Sequence, residues 1–337
     1  MKIPIIFCIV FVISHLHARD FESKHFEIQK LSEGVYAVIA KAGGGAICNA
    51  GIVDIGGETI VFDTFLSPAA ARDLKAATQQ LTSSPIRYAV NSHGHNDHIR
   101  GNVIFRDEAE IISTSAVRKA IAENEPGQIE QEKRYAPAQL AKMRSEVEAE
   151  QDDGNRQEAL LWLGYYEAMV ESHRTGSTVL PSLTFEDRMV LYGVNRTVEL
   201  IEYADGHTAS DVIMVLPEER IVFTGDLLFI DFHPYLADGD PAVLHTILEQ
   251  MAGMGIRTIV PGHGSIGSRD DILNMIRYLE TIDCLARDFS ARGKGMDELG
   301  SIQIPEAYSA WSFPHFFEIN MRYSIENALK RSAEGIK

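Results

Sequence analysis

The stretch N-S-H-G-H-N-D-H-I-R-G-N, residues 91–102, holds three of the chain's twelve histidines and an aspartate. It follows I-R-Y-A-V, residues 86–90, whose β-branched and aromatic residues predict a strand. Residues two apart on an extended chain point the same way, so His93 and His95 can reach one metal ion. Gly94 permits the turn that follows. Asp97 and His98 fall beyond that turn, where they can face a second ion. Two sites need more donors, and three other stretches offer them in the same local setting. Y-A-D-G-H-T puts His207 just after a strand, V-F-T-G-D puts Asp226 after a strand and a glycine, and I-V-P-G-H-G does the same for His263. A hydrophobic strand, a glycine, then an imidazole or carboxylate lines polar groups along a sheet edge, where glycine allows close approach.

The donors are five imidazoles and two carboxylates without a thiolate. That set suits zinc best, and iron or manganese second. One partition places His93, His95 and His207 on a first ion and Asp97, His98 and His263 on a second, with Asp226 bridging. A carboxylate bridge fits ions about 3.5–4 Å apart.

Around these donors, V-Y-A-V-I-A (35–40), A-I-C-N-A-G-I-V (46–53), T-I-V-F-D (59–63) and I-I-S-T (111–114) read as strands. Ser67-Pro68 opens a helix over 68–81. Gly43-Gly44-Gly45 reads as a flexible hairpin tip, with a mobile flap as the alternative; no Gly-Lys-Ser/Thr follows, so it is not a phosphate loop. Residues 115–177 turn charged and helix-favouring, with apolar residues three to four apart, and read as a helical insertion. Its Leu160, Trp162, Leu163, Tyr166 and Met169 read as packing residues before they read as a lid. Strands resume at 189–192, 197–203, 212–216, 220–224 and 258–260, with helices at 241–251 and 269–289. Strands and helices alternate in each half, which predicts two mixed sheets covered by helices.

The formal net charge is −17, which gives no general attraction for nucleic acid or anionic lipid and disfavours a nuclease. Lys2, an apolar run from Ile3 to Ile13 and the small Ala18 match a secretory signal peptide over 1–18, so export to a periplasm or medium is expected, without stable membrane insertion after cleavage. His15 and His17 belong to that segment. Cys48 and Cys284 then read first as buried free thiols, with a disulfide between them as the alternative in an oxidising compartment. His233 follows Asp226 closely enough to serve as proton donor or substrate contact, while His173 and His245 read as surface or packing residues. The tail, residues 291–337, carries Trp311, Phe313, Phe316 and Phe317 beside His315. These aromatics read as core first, and as pocket wall or dimer contact second.

In this order, H-G-H-N-D-H, G-H-T, T-G-D-L-L-F and P-G-H-G resemble the metallo-β-lactamase superfamily over roughly residues 31–285. The resemblance implies an α/β fold, a four-layer αββα sandwich with a dinuclear site at the sheet edges. Its halves would be residues 19–114 and 178–290, with the 115–177 insertion between them. It also implies metal-ligand roles for His93, His95, Asp97, His98, His207, Asp226 and His263. β-Lactamases of the cysteine-ligand type carry Cys where Asp226 stands, and others usually lack this bridge. The set is more similar to the glyoxalase II, lactonase and general metallo-hydrolase branches.

The function expected is hydrolysis of a small-molecule ester, thioester, lactone or similar acyl bond by a hydroxide between two zinc ions, with Asp97 orienting it. No G-x-S-x-G elbow is present. β-Lactam hydrolysis is the first alternative. A mononuclear iron persulfide dioxygenase is the second, and a non-catalytic zinc protein the third.

Overall fold

The computed structural model describes residues 21–175 and 177–333; the expected signal peptide lies outside them. Seven strands form the first sheet in chain order: β1 (Phe26–Ser32), β2 (Val35–Ala40), β3 (Ala50–Asp54), β4 (Thr59–Phe62), β5 (Ile86–Val90), β6 (Glu110–Thr114) and β7 (Leu183–Phe185). β1 to β4 are an antiparallel meander, and β4 to β7 pair in parallel. The second sheet contains β8 (Arg188–Tyr192), β9 (Thr197–Ala204), β10 (Ser210–Leu216), β11 (Ile221–Phe223) and β12 (Thr258–Val260), in the order 12-11-10-9-8. Only its β11–β12 pair is parallel.

The central strands, such as β3, β4, β10 and β11, are apolar on both faces because both faces are covered. Side chains alternate: Val35, Ile60, Phe62, Val90 and Ile112 point from the first sheet into a shared core with Val212, Met214, Ile221, Phe223 and Val260 of the second. Their neighbours point outward. Tyr36, Val38, Val61 and Ala89 pack beneath α1 (Pro68–Leu81), through its Ala70, Ala71, Leu74 and Ala77. Ile213, Val215, Val222 and Ile259 pack beneath α6 (Pro241–Gly253), α7 (Arg269–Ala291) and α8 (His315–Ala333). A one-residue slip in any of these strands would exchange its two cores. The result is the expected αββα sandwich. The Ser67 hydroxyl caps α1 by accepting from the Ala69 and Ala70 amides, with Pro68 in the first turn.

Two very short helices, α2 (Asn96–Ile99) and α3 (Asn102–Phe105), follow β5. Between β6 and β7 come α4 (Ser115–Ala149) and α5 (Asp153–Ser172).

Three readings need revision. Cys284 is exposed on α7, not buried, while Cys48 is buried. The glycine loop is docked, not a free tip: Gly45 donates its amide to His25 Nδ1, and a Cβ on Gly164 of α5 would lie 2.4 Å from the Gly44 carbonyl oxygen. The predicted strand 46–53 begins only at Ala50. Asn49 leaves the ladder to donate its side-chain amide to the Pro261 and Gly264 carbonyls, bracing the loop that carries His263.

Candidate metal centre

Each donor stands where a strand ends. β5 delivers His93, the loop after it His95, and α2 presents Asp97 and His98. His207 lies in the β9–β10 turn, Asp226 in a single 3-10 turn (Gly225–Leu227) after β11, and His263 after β12. Glycine is required at 262, where a Cβ would lie 1.9 Å from Asp226 Oδ1.

All seven side chains converge. His95 Nδ1 lies 3.1 Å from His207 Nε2, which is 3.4 Å from Asp226 Oδ2. His263 Nε2 is 3.4 Å from both Asp226 Oδ2 and Asp97 Oδ2, and His98 Nε2 is 3.2 Å from Asp226 Oδ1. His93, His95, His207 and Asp226 form one group able to hold an ion, and His98, Asp226 and His263 form another. Asp226 belongs to both.

These residues fit a metal. His93 Nε2, His98 Nε2 and Asp226 Oδ1 are fully buried and make no hydrogen bond among the described residues. Buried polar atoms left unpaired are costly, and here the orphans face one another. The electrostatics of the cluster carry the same tension. Burial drives His207 down to about 3 and His93 well below its ordinary value. Burial opposes charge on His263 too, but Asp226 and Asp97 raise it to about 9. Burial works against the Asp226 carboxylate, yet His263 and His98 hold its pKa well below the usual range. Asp97 is likewise lowered, against its burial, by His98 and His263. The cluster keeps its carboxylates ionised and concentrates positive charge between them, the place a cation would take.

A second layer aims the imidazoles. Asp63 Oδ2 accepts from His98 Nδ1 at 2.8 Å and from the Ser92 hydroxyl at 2.8 Å, and Oδ1 accepts from the Ser92 amide at 2.7 Å. Asp238 pairs with His95 Nε2 at 2.9 Å. Asp211 accepts from the amides of His207 and Thr208, and burial pushes its carboxyl up to about 7. Cys48 donates its thiol to the Asp97 carbonyl at 3.0 Å, and burial pushes that thiol up to about 12. Sequence reading missed these four. Only Asp63, the acid closing T-I-V-F-D, shared the strand-end signal.

His233 is not with them. It is 0% exposed, with Nδ1 against the Tyr278 hydroxyl at 3.0 Å and its ring among Tyr278, Trp311 and Phe317. Burial lowers it to about 4. It is a core histidine beneath the tail, so the proton-donor reading is withdrawn. His173 is bound to Glu132 at 2.9 Å, and His245 sits near Glu249 and Glu280.

The donors open into a cavity of about 420 Å³ reached by His95, Asp97, His207, Asp226 and His263. Trp162 and Tyr166 of α5 and Phe313 and Phe316 of the tail also line it, so four aromatics expected mainly in packing roles face the centre. Trp311 and Phe317 do join the core.

Residues 43–263 match the family model for the metallo-β-lactamase superfamily. The chain belongs to that superfamily. Two solved structures share its fold. One, a metallo-β-lactamase from Pontibacter korlensis, is 16% identical, with a TM-score of 0.54 over 76% of this chain and 99% of that one. The other, the metallo-β-lactamase DIM-1 exposed to ceftazidime, is 15% identical, with a TM-score of 0.55 over 77% and 99%. No curated protein matches the sequence. Superfamily members usually bind metal; most are hydrolases and some catalyse other reactions.

Proposed function

We propose that this protein is an exported dinuclear zinc hydrolase that cleaves an ester, thioester, lactone or similar acyl bond. The observation that carries this reading is Asp226's membership in both donor groups, the position of a bridging carboxylate. His93, His95 and His207 would hold one ion, and Asp97, His98 and His263 the other. Such ions, when bound, lower the pKa of a shared water towards about 7 and polarise the acyl carbonyl.

The chain supplies the rest. Asp97, held ionised by His98 and His263, accepts a hydrogen bond from the attacking water and orients its lone pair. Among the described residues, the cavity wall offers no serine, threonine, cysteine or lysine, and the nucleophile in this reading is water. The aromatic wall excludes bulk water and seats the apolar part of the substrate. Export rests on Lys2 and the Ile3–Ile13 run.

Asp226→Ala is the direct test. Elemental analysis of the purified variant should find at most one ion where the parent holds two, with hydrolysis lost. Two tightly held ions and full turnover would sink the bridge. A panel of p-nitrophenyl esters, an acyl-homoserine lactone, S-lactoylglutathione and a chromogenic cephalosporin ranks the substrates. Fast cephalosporin turnover favours the β-lactamase alternative, and a single iron with sulfite release from glutathione persulfide favours the dioxygenase.

A further inference from the structure

We infer that the helical insertion and the C-terminal tail convert the cavity into a chamber for uncharged or cationic acyl substrates with an apolar substituent, and that a carboxylate remote from the scissile bond is rejected. The inference rests on the hydrolase reading and narrows it to a substrate class.

The wall is assembled from two segments far apart in sequence. Trp162 stands on α5, with its ring centroid 4.9 Å from that of Phe313 and 5.8 Å from that of Tyr165. Glu158, one helical turn before Trp162, ties the segments together: Oε1 accepts from the Trp162 indole at 3.0 Å and Oε2 from the Phe313 amide at 3.1 Å. Phe316 packs on Tyr235, 5.5 Å between centroids. Two residues of the wall have left-handed backbones, Phe313 at φ 58° and Ile47 at φ 76°. Bulky and β-branched residues rarely adopt that region, and such strain gathers where a ligand is shaped.

Away from the candidate ligands, the charged side chains on this wall are all acidic. Among the described residues lining the cavity none is lysine or arginine, whereas Glu132 and Asp238 are both there. The cation nearest to Glu132, Arg100, is not part of the wall. It is taken up by Glu125 at 2.6 Å and Glu132 at 2.7 Å. Lys142 lies in a separate outer groove that shares Trp162 with the cavity, and it pairs with Glu146 at 3.3 Å. The phenols of Tyr135, Tyr165, Tyr166 and Tyr235 are raised by burial, so they stay neutral donors. A terminal carboxylate in this chamber loses water and meets acids and ring faces. An alkyl chain finds the ring faces of Trp162, Phe313 and Phe316, and an ammonium gains ring faces and carboxylates.

Three esters of equal length separate the cases on the zinc-loaded full chain: p-nitrophenyl hexanoate, p-nitrophenyl 6-aminohexanoate and p-nitrophenyl hydrogen adipate. The first two should exceed the adipate in kcat/KM by at least about tenfold. Gln131→Lys, on the exposed side of α4, should raise the adipate relative to the hexanoate by about tenfold. The matching p-nitroanilides report binding without turnover, by quenching Trp162 fluorescence, with Trp162→Phe subtracting the signal of Trp311. Equal kcat/KM across the series, or an adipate preference, overturns the inference and leaves the hydrolase standing. No turnover of any ester, with quenching still weakest for the adipoyl anilide, overturns the hydrolase and supports the charge selection. Neither turnover nor quenching overturns both.

Discussion

Asp63 shows what a single residue can do for the centre without facing the cavity. It is 1% exposed and uses both oxygens, accepting from His98 Nδ1, the Ser92 hydroxyl and the Ser92 amide. With Nδ1 occupied, His98 has only Nε2 to turn towards Asp226. A carboxylate behind a ligating imidazole fixes its tautomer and raises its basicity. Asp63→Ala should therefore weaken metal binding by about 10–100-fold, measured by chelator competition. It should also cost about 1–3 kcal/mol of stability in urea, from the donors left unpaired. Asp63→Asn, which keeps the shape, should recover stability more than affinity; equal recovery of both would make Asp63 a packing residue. The seven candidate ligands were legible because strand, glycine and donor are local features. Asp63, Asp211 and Asp238 were not, since their role lies in partners that only the fold brings near. His233 was misplaced for the converse reason. Closeness to Asp226 in sequence ignored the intervening chain, where buried Leu227–Ile230 and the Phe232–Ser312 bridge lead it under the tail.

At the level of elements, the insertion is fastened to the segment after β5 that carries four of the donors. Arg100, two residues beyond His98, reaches into the insertion, where Glu125 and Glu132 of α4 and the Ser172 hydroxyl of α5 receive it. Glu132 also accepts from the Asn96 side chain at 3.0 Å and pairs with His173. Removing one partner from such a buried set leaves charge uncompensated, and Arg100→Met should cost about 3–5 kcal/mol in urea denaturation. Adding Glu125→Gln and Glu132→Gln removes the stranded charge and should restore much of the loss; if the triple variant were no better than the single, the network would not be the cause. The alternation of strands and helices in each half announced two mixed sheets covered by helices, and the family resemblance supplied the αββα layering. β1 was not anticipated because its F-E-I-Q-K-L-S is half exposed and charged, and β7 because three residues carry no period. The insertion's helices were equally plain, but their periodicity gave no sign that α5 turns Trp162 and Tyr166 towards the cavity. That depends on the tail, held through Glu158.

Across the whole molecule, no half of the chain contains a centre. The first sheet and its loops bring His93, His95, Asp97 and His98, and the second brings His207, Asp226 and His263. The two meet only when the core of Val35, Ile60, Phe62, Met214 and Phe223 closes between the sheets. Asn49 reinforces that closure by holding the Pro261 and Gly264 carbonyls from the first half. An ion that needs donors from both sheets binds the native chain and not the unfolded one, so its binding energy adds to the stability of the sandwich as a whole. At a free concentration 1,000 times Kd, each ion contributes about 4 kcal/mol. Without metal, the buried His93 Nε2, His98 Nε2 and Asp226 Oδ1 keep their orphan status, and nothing offsets the loss. Stripping the protein with a chelator should lower Tm by on the order of 10 °C in calorimetry, in one transition. Zinc should restore it, with Tm rising as the logarithm of free zinc, whereas Asp226→Ala should show a smaller rise because it has lost the shared donor. If chelation left Tm unchanged, or melted only one part of the trace, the donors would not be joined across the two sheets by metal.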